Sequence, residues 1–460
     1  MKMRIAKISI LFVLMCFCTL HANAKSRVVY SPCGPDGCRN SLFGGNLALQ
    51  YKLEYLQGRL WRHSQAIRGL DGDYTRGAEF AVEFPQLGGT GWVFYWNFPT
   101  VGLAAQYLNL GNKDYLGDAY TFYPYINLPI AKTKTSRIFS LNAKLGAGVS
   151  FLTKKYDKSL DPQLWEPAQP RDYSANNYAI GSVANVYLTA GLNFDLRFSK
   201  KNQGFWSRWG VLGEFAWSHY ANGSVRKSDE GLDVLNVGVG LRYIPYMSPC
   251  PMRAGLDRLP RRWYFEPELT IGANRKHETD EKLYPTFTLR VGAYRPLANI
   301  YRMGLSVDAF YNMAFTKDRT LPEYYSGKNS PAGENASPFR LGVSWANELL
   351  FGKFTGGLQV GLYLMNKQTA HDGHCYLRLS GKYDVWNNIY VTAAVKAHKT
   401  EMESLEVGVG YSLYKKEKAP YSWLPDKNKK TPRSKVEREE QKTSKKDEVP
   451  MGKKAKKLSK

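Results

Sequence analysis

From residue 46 to 414 apolar and polar positions alternate in short runs with a period of two, broken by Gly, Pro, Asn and Asp. Helical periodicity is almost absent. The pattern predicts sixteen strands, at 46–62, 76–85, 101–110, 118–129, 138–153, 181–198, 209–221, 232–243, 263–277, 285–297, 302–314, 338–351, 355–365, 375–385, 388–399 and 404–414. Side chains two residues apart share a face of a strand. Over 232–243 one face carries Leu235, Val237, Val239, Leu241 and Tyr243, the other Val234, Asn236, Gly238, Gly240 and Arg242. Over 404–414 Leu405, Val407, Val409, Tyr411 and Leu413 oppose Ser404, Glu406, Gly408, Gly410 and Ser412. An apolar face backed by a small and polar one suits barrel strands with lipid outside and a polar network inside, and a soluble β-sandwich would share the same period.

Connection lengths sharpen this. Long polar segments follow the fifth, seventh and eleventh strands (154–180, 222–231 and 315–337), whereas the fourth, tenth, twelfth and fourteenth end in tight turns such as Gly352-Lys353. Long loops at one rim and short turns at the other are the outer-membrane barrel pattern, so odd strands are expected to run outward. The connections after the second and eighth strands are longer than this pattern expects. The latter, Ile244 to Arg262, holds Pro245, Pro249, Pro251 and Pro260. The fold class is therefore all-β, a transmembrane antiparallel β-barrel of about 16 strands, either two 8-stranded halves or one barrel. The expected organisation is a leader over 1–24, an N-terminal segment over 25–45, barrel halves over 46–245 and 263–414 joined by a linker over 246–262, and a tail over 415–460.

Composition and charge fit an exported chain. Lys2, Arg4 and Lys7 precede an apolar run to Leu20, and Ala22-Asn23-Ala24 offers a cleavage site, the features of a secretory leader. Aromatics make up 14% of the chain, with 31 Tyr, a residue suited to sheets and bilayer interfaces. No later stretch reaches the ~18 apolar residues of a spanning helix. Of the net +24, the tail contributes 17 Lys+Arg against 7 Asp+Glu. It is too poor in apolar residues to bury a core and reads as disordered, with contact to an anionic envelope polymer as its possible role. Nucleic acid is not a plausible partner for an exported chain. Cys33 and Cys38 flank Gly34-Pro35-Asp36-Gly37 and are expected to form a disulfide in an oxidising compartment. Cys250 and Cys375 read as free.

The candidate chemistry lies on the seventh strand. Parity sets Val211, Phe215, Trp217, His219 and Ala221 on the lipid face, with Leu212, Glu214, Ala216, Ser218 and Tyr220 inside. His219 is thus expected outward at the outer end of the strand, and Asp233 opens the eighth strand with the same parity. A carboxylate beside an imidazole orients the ring and stabilises its charged form, as a general base requires. The alternative is an interfacial His and a loop-end Asp that never meet. His63-Ser64 is a weaker second edge of such a site. His371 and His374 have a spacing able to hold a metal, but exposed loop pairs are more often unliganded, and the sequence calls for no metal or cofactor.

Several stretches carry a resemblance: Phe98-Pro99 with Gly102-Leu103, Tyr123-Pro124-Tyr125-Ile126-Asn127-Leu128-Pro129, Leu152-Thr153-Lys154-Lys155-Tyr156-Asp157, Ala179-Ile180-Gly181-Ser182 and His219-Tyr220-Ala221-Asn222-Gly223. Through them residues 90–245 resemble the PagL-type lipid A 3-O-deacylases, in the diverged form known as acyloxyacyl hydrolases in the Bacteroidetes. The second half is similar to longer members of that group. The resemblance implies an eight-stranded barrel with a Ser-His-Glu site on its lipid-facing surface, and lipid A of lipopolysaccharide, among outer-membrane lipids, as the partner. The family's His-x-Ser-Asn motif puts the catalytic His at His219, the acid at Asp233 and the following Asn at Asn222. The nucleophile position is Ala221, which has no hydroxyl.

Three readings follow from that departure. Ser224 in the adjoining loop substitutes as nucleophile, His219 activates water directly, or the barrel binds lipid A without cleaving it. Arg226 and Lys227 are expected to contact glucosamine phosphates by charge-assisted hydrogen bonds. A structural or porin-like barrel is the alternative from another class.

Overall fold

The computed structural model describes residues 27–31, 49–62, 65–70, 72–86, 91–132, 138–161, 172–199, 204–222, 231–245, 252–256, 259–274, 282–315, 337–366, 373–398, 401–414 and 421–423. In chain order the strands are β1 (Arg27–Ser31), β2 (Gln50–Leu60), β3 (Thr75–Pro85), β4 (Thr100–Asn109), β5 (Asp118–Lys132), β6 (Phe139–Leu152), β7 (Ala184–Arg197), β8 (Trp209–Ala221), β9 (Leu232–Tyr243), β10 (Met252–Leu256), β11 (Tyr264–Asn274), β12 (Tyr284–Ala298), β13 (Tyr301–Asn312), β14 (Phe339–Phe351), β15 (Phe354–Met365), β16 (Cys375–Trp386), β17 (Ile389–His398), β18 (Glu401–Tyr411) and β19 (Tyr421–Trp423). Two short helices interrupt them, α1 (Gln65–Leu70) and α2 (Gly91–Tyr95). Among the described residues no helix is long and apolar enough to cross a membrane.

The chain forms two closed antiparallel barrels, β2 to β9 and β11 to β18. Closure is set by β2 pairing with both β3 and β9, and by β11 pairing with both β12 and β18. Alternation leaves one barrel and two equally open; pairing of first with eighth strand decides for two. The remaining strands make a small antiparallel sheet in the order β1-β10-β19. Of these, β10 lies within the segment read as linker, and β19 within the segment read as tail, of which the other residues from 415 on are outside the described ones. Their partners lie 165 residues or more away, where local alternation carries no signal.

Each lumen is filled. Eight strands leave an interior just wide enough for side chains. In the first barrel Lys144 reaches Glu214 at 2.9 Å and Glu79 at 3.0 Å, and Lys52 reaches Glu54 at 2.6 Å and Glu79 at 2.9 Å. In the second, Arg302 bridges Glu266 at 2.7 Å and Glu348 at 2.6 Å, Lys382 joins Glu348 at 2.8 Å, and Arg378 joins Glu268 at 2.8 Å. Charges so enclosed stay ionised only when paired, which the inward faces accomplish across the lumen. The outward faces are exposed and apolar, as at Leu53, Phe215, Val239, Leu305 and Val409.

Exceptions to outward exposure locate the seam between barrels. Leu128 and Ala143 of the first barrel and Tyr301 and Leu349 of the second point outward yet are buried, packed with Trp96 and Ile300. Trp96, just beyond α2, donates its indole N–H to the Leu350 carbonyl at 2.8 Å and stacks on Phe351 with ring centroids 4.7 Å apart. The Tyr301 hydroxyl donates to Asn347 at 2.6 Å. All these residues lie toward the inner rim, where the chain enters and leaves each barrel. Farther out on the same strands Phe122, Val149, Leu305 and Val307 are exposed.

Candidate active site

The outer end of the first barrel is closed by an apolar cluster. Ile67 and Leu70 of α1 pack there with Leu110, Leu116, Ala179 and Ile180, and with the inward side chains Tyr220, Leu232 and Val234. Tyr220 and Leu232 are fully buried in this cluster. They flank, in sequence, His219 on β8 and Asp233 on β9, so the anchoring of one face holds the other in place. Ser218 faces inward, sharing a 2.8 Å hydrogen bond with the Tyr187 hydroxyl.

On the outward face the register pairs His219 directly with Asp233. His219 Nδ1 lies 2.7 Å from Asp233 Oδ1, with the imidazole 19% exposed and the carboxylate fully covered. The alternative of two groups that never meet is thereby removed. A carboxylate oxygen can only accept, so this bond fixes the proton on Nδ1 and leaves Nε2 as the basic nitrogen. Trp217, two residues earlier on the same face, donates its indole N–H to the same Asp233 oxygen at 3.2 Å. Its ring lies parallel to the imidazole, 18° between planes and centroids 5.7 Å apart. Trp61 contributes its backbone N–H, donated to the Asp233 carbonyl at 2.8 Å.

Gly231 completes the enclosure. It has φ +72°, and a β-carbon there would lie 2.7 Å from His219 Cε1 and 3.2 Å from Nε2. Only glycine both adopts this backbone and leaves the working edge of the ring open. Trp217 and Gly231 are residues that sequence reasoning did not assign. The parity of Trp217 was visible, but its shared acceptor required the β8–β9 register.

Ala221 is buried at the end of β8 and Asn222 beside it is buried as well. Ser224, Arg226 and Lys227 lie outside the described residues, as do His63, Ser64, His371, Cys33, Cys38 and Cys250. Cys375 is a free, exposed thiol.

The second barrel has a histidine at the corresponding place, the end of its seventh strand. His398 pairs across β17 and β18 with Glu401. It shares the inward parity of Thr392 and Lys396, and is buried in the lumen against Glu403 at 3.3 Å and the Tyr363 hydroxyl. The outward dyad is thus peculiar, among the described residues, to the first barrel.

Comparison with known proteins adds the following. Residues 263–416, the second barrel, match the family described as acyloxyacyl hydrolase, C-terminal domain. No curated protein matches the sequence. Among solved structures the chain is similar to CdiB from Acinetobacter baumannii, at 10% identity and a TM-score of 0.16 over 85% of this chain and 66% of that one. It is also similar to a mutant of the Rh. blastica porin (10% identity, TM-score 0.16, 80% of this chain and 100% of that one). A third is a ferric enterobactin receptor mutant from Pseudomonas aeruginosa (8% identity, TM-score 0.22, 80% and 81%). Likeness at this level carries no argument for the architecture, which the strand pairing establishes by itself.

Proposed function

We propose that this protein, whose second barrel matches the acyloxyacyl hydrolase C-terminal-domain family, is an outer-membrane hydrolase that removes an ester-linked acyl chain from lipid A of lipopolysaccharide. The observation that carries this reading is the 2.7 Å His219–Asp233 pair on the lipid-facing flank of a barrel whose lumen is closed. A buried network filling the interior leaves only the outer surface for chemistry on a lipid.

In the reaction, His219 Nε2 accepts a proton from water as its oxygen attacks the ester carbonyl. The tetrahedral adduct then breaks its bond to the sugar oxygen, which takes the proton back from the imidazolium, releasing a fatty acid and a free hydroxyl. Asp233 holds the ring in the Nδ1–H form and stabilises the transient positive charge, as does the Trp217 face stacked on it. Asn222 is assigned to the oxyanion, with Arg226 and Lys227 on headgroup phosphates. A hydroxyl from Ser224 replaces water if an acyl-enzyme forms, while the missing hydroxyl at Ala221 favours water or, as a second reading, binding without cleavage. The basic tail is assigned to an anionic envelope polymer, and the leader to export.

The test is mass spectrometry of lipid A from a host lacking deacylases. The expected result is loss of one acyl chain with wild type, and a rate about 10²–10⁴-fold lower with His219→Ala, the scale of general-base catalysis. An unchanged acyl count with folded wild type refutes hydrolysis in favour of binding. Large open steps in planar bilayers would instead favour the porin-like reading.

A further inference from the structure

The outward face around the dyad carries more than the dyad. On β8 the outward residues from the inner rim are Trp209, Val211, Gly213, Phe215 and Trp217, and the first acidic or basic one is His219. On β9 Tyr243, Leu241, Val239, Val237 and Leu235 lead to Asp233. On β2 Tyr51, Leu53, Tyr55 and Gln57 lead to Arg59, and on β3 Phe84, Val82, Phe80 and Ala78 lead to Arg76. Four neighbouring strands thus each place their first lipid-parity acidic or basic group at the same end of the barrel. A charge on the lipid face is costly at mid-bilayer and is tolerated near the interface, so this line marks the boundary between hydrocarbon and headgroups. Acyl esters of membrane amphiphiles lie at that depth.

The two arginines are close to each other and to the dyad. Gln57 is directly opposite Arg76, so Arg59 and Arg76 are diagonal neighbours with β-carbons roughly 7–8 Å apart. Arg59 is opposite Leu235, which is in turn opposite Trp217, one row below the His219–Asp233 pair. Both arginines are exposed, and the Arg59 guanidinium lies 5.7 Å from the centre of the Tyr74 ring. The flank formed by β4 and β5 differs, since its outer end holds Tyr107, Asn109 and Asp118, with Asp118 accepting from both. Cations therefore stand on the side that carries the dyad and a carboxylate stands on the next.

Resting on the hydrolase reading above, we propose that Arg59 and Arg76 form a clamp for the phosphate of an anionic headgroup, holding the amphiphile so that its ester reaches His219 Nε2. Planar guanidinium forks suit phosphate oxygens, and two of them at this spacing suit one phosphate gripped from both sides. This makes the substrate class a phosphate-bearing, ester-linked lipid, and it places headgroup recognition on the barrel wall.

The test measures binding of full-length protein in nanodiscs to lipid A and to the same lipid A stripped of phosphate, in a His219→Ala background that prevents turnover. Arg59→Gln with Arg76→Gln should weaken binding of the phosphorylated form by roughly 100-fold, about tenfold for each charge-assisted contact, and leave the stripped form unchanged. An equal loss for both lipids, or none for either, overturns the clamp. So does displacement of lipid A by millimolar inorganic phosphate, which assigns the arginines to a free anion. Charge-selective binding without turnover in the His219-containing protein retains the clamp and sinks the hydrolase. Turnover indifferent to lipid phosphate does the reverse.

Discussion

Lys144→Met is the perturbation whose size the structure best defines. The Lys144 ammonium is fully buried between Glu79 at 3.0 Å and Glu214 at 2.9 Å, while Lys52 serves Glu54, Glu79 and Glu214. Two lysines thus face three glutamates in the middle of the first barrel. Removing one leaves Lys52 alone against all three, with two carboxylates short of a cation. Deleting one partner of a buried ion pair costs about 3–5 kcal/mol, because the loss includes the stranded charge as well as the attraction. That is roughly two to four powers of ten in the folding equilibrium. The assay is reversible urea unfolding of protein inserted in lipid vesicles, followed by tryptophan fluorescence. Adding Glu214→Leu to Lys144→Met restores the original surplus of one carboxylate and should recover most of the loss. A single variant within ~0.5 kcal/mol of wild type, the scale of an inconsequential surface change, would refute the claim that these charges are enclosed and interdependent.

Other expectations follow from the same geometry. Asp233→Asn should slow deacylation, but less than His219→Ala, since the imidazole stays but loses its fixed tautomer; single-turnover rates on lipid A check this. Gly231→Ala should cost ~1–2 kcal/mol through its positive φ and lower turnover further by crowding Nε2; equal turnover in a folded barrel contradicts the crowding. Trp96→Ala should broaden spin-label distances between the barrels while each barrel keeps its heat-modifiable gel mobility; unchanged distances mean that Trp96 is not what joins them.

Much of this was legible in the sequence because a barrel strand repeats one rule. The run 209–221 coincides with β8 and 232–243 with β9, and parity alone put His219 and Asp233 on one face. Their contact was a matter of register, which alternation does not fix. The seam was invisible, since Leu128, Ala143, Tyr301 and Leu349 read like any other lipid-facing residues. They are covered because they pack on one another across the seam together with Trp96, which bonds the end of a strand 254 residues away. Likewise His398 and His219 occupy corresponding strand ends, and a single parity step sends one into the lumen and the other toward lipid. The second barrel, which carries the family match, is therefore without the outward pair among its described residues, and the sequence resemblance alone did not separate those roles.

The seam also governs how substrate arrives. It occupies β5 and β6, while the dyad sits on β8 and β9, so in a ring of eight strands the dyad stands between a quarter (β6 to β8) and half (β5 to β9) of the circumference from the seam. A lipid drifting in the plane of the membrane meets the reactive edge on a stretch of barrel wall away from the joint. The contacts that join the two barrels do not involve β8 or β9.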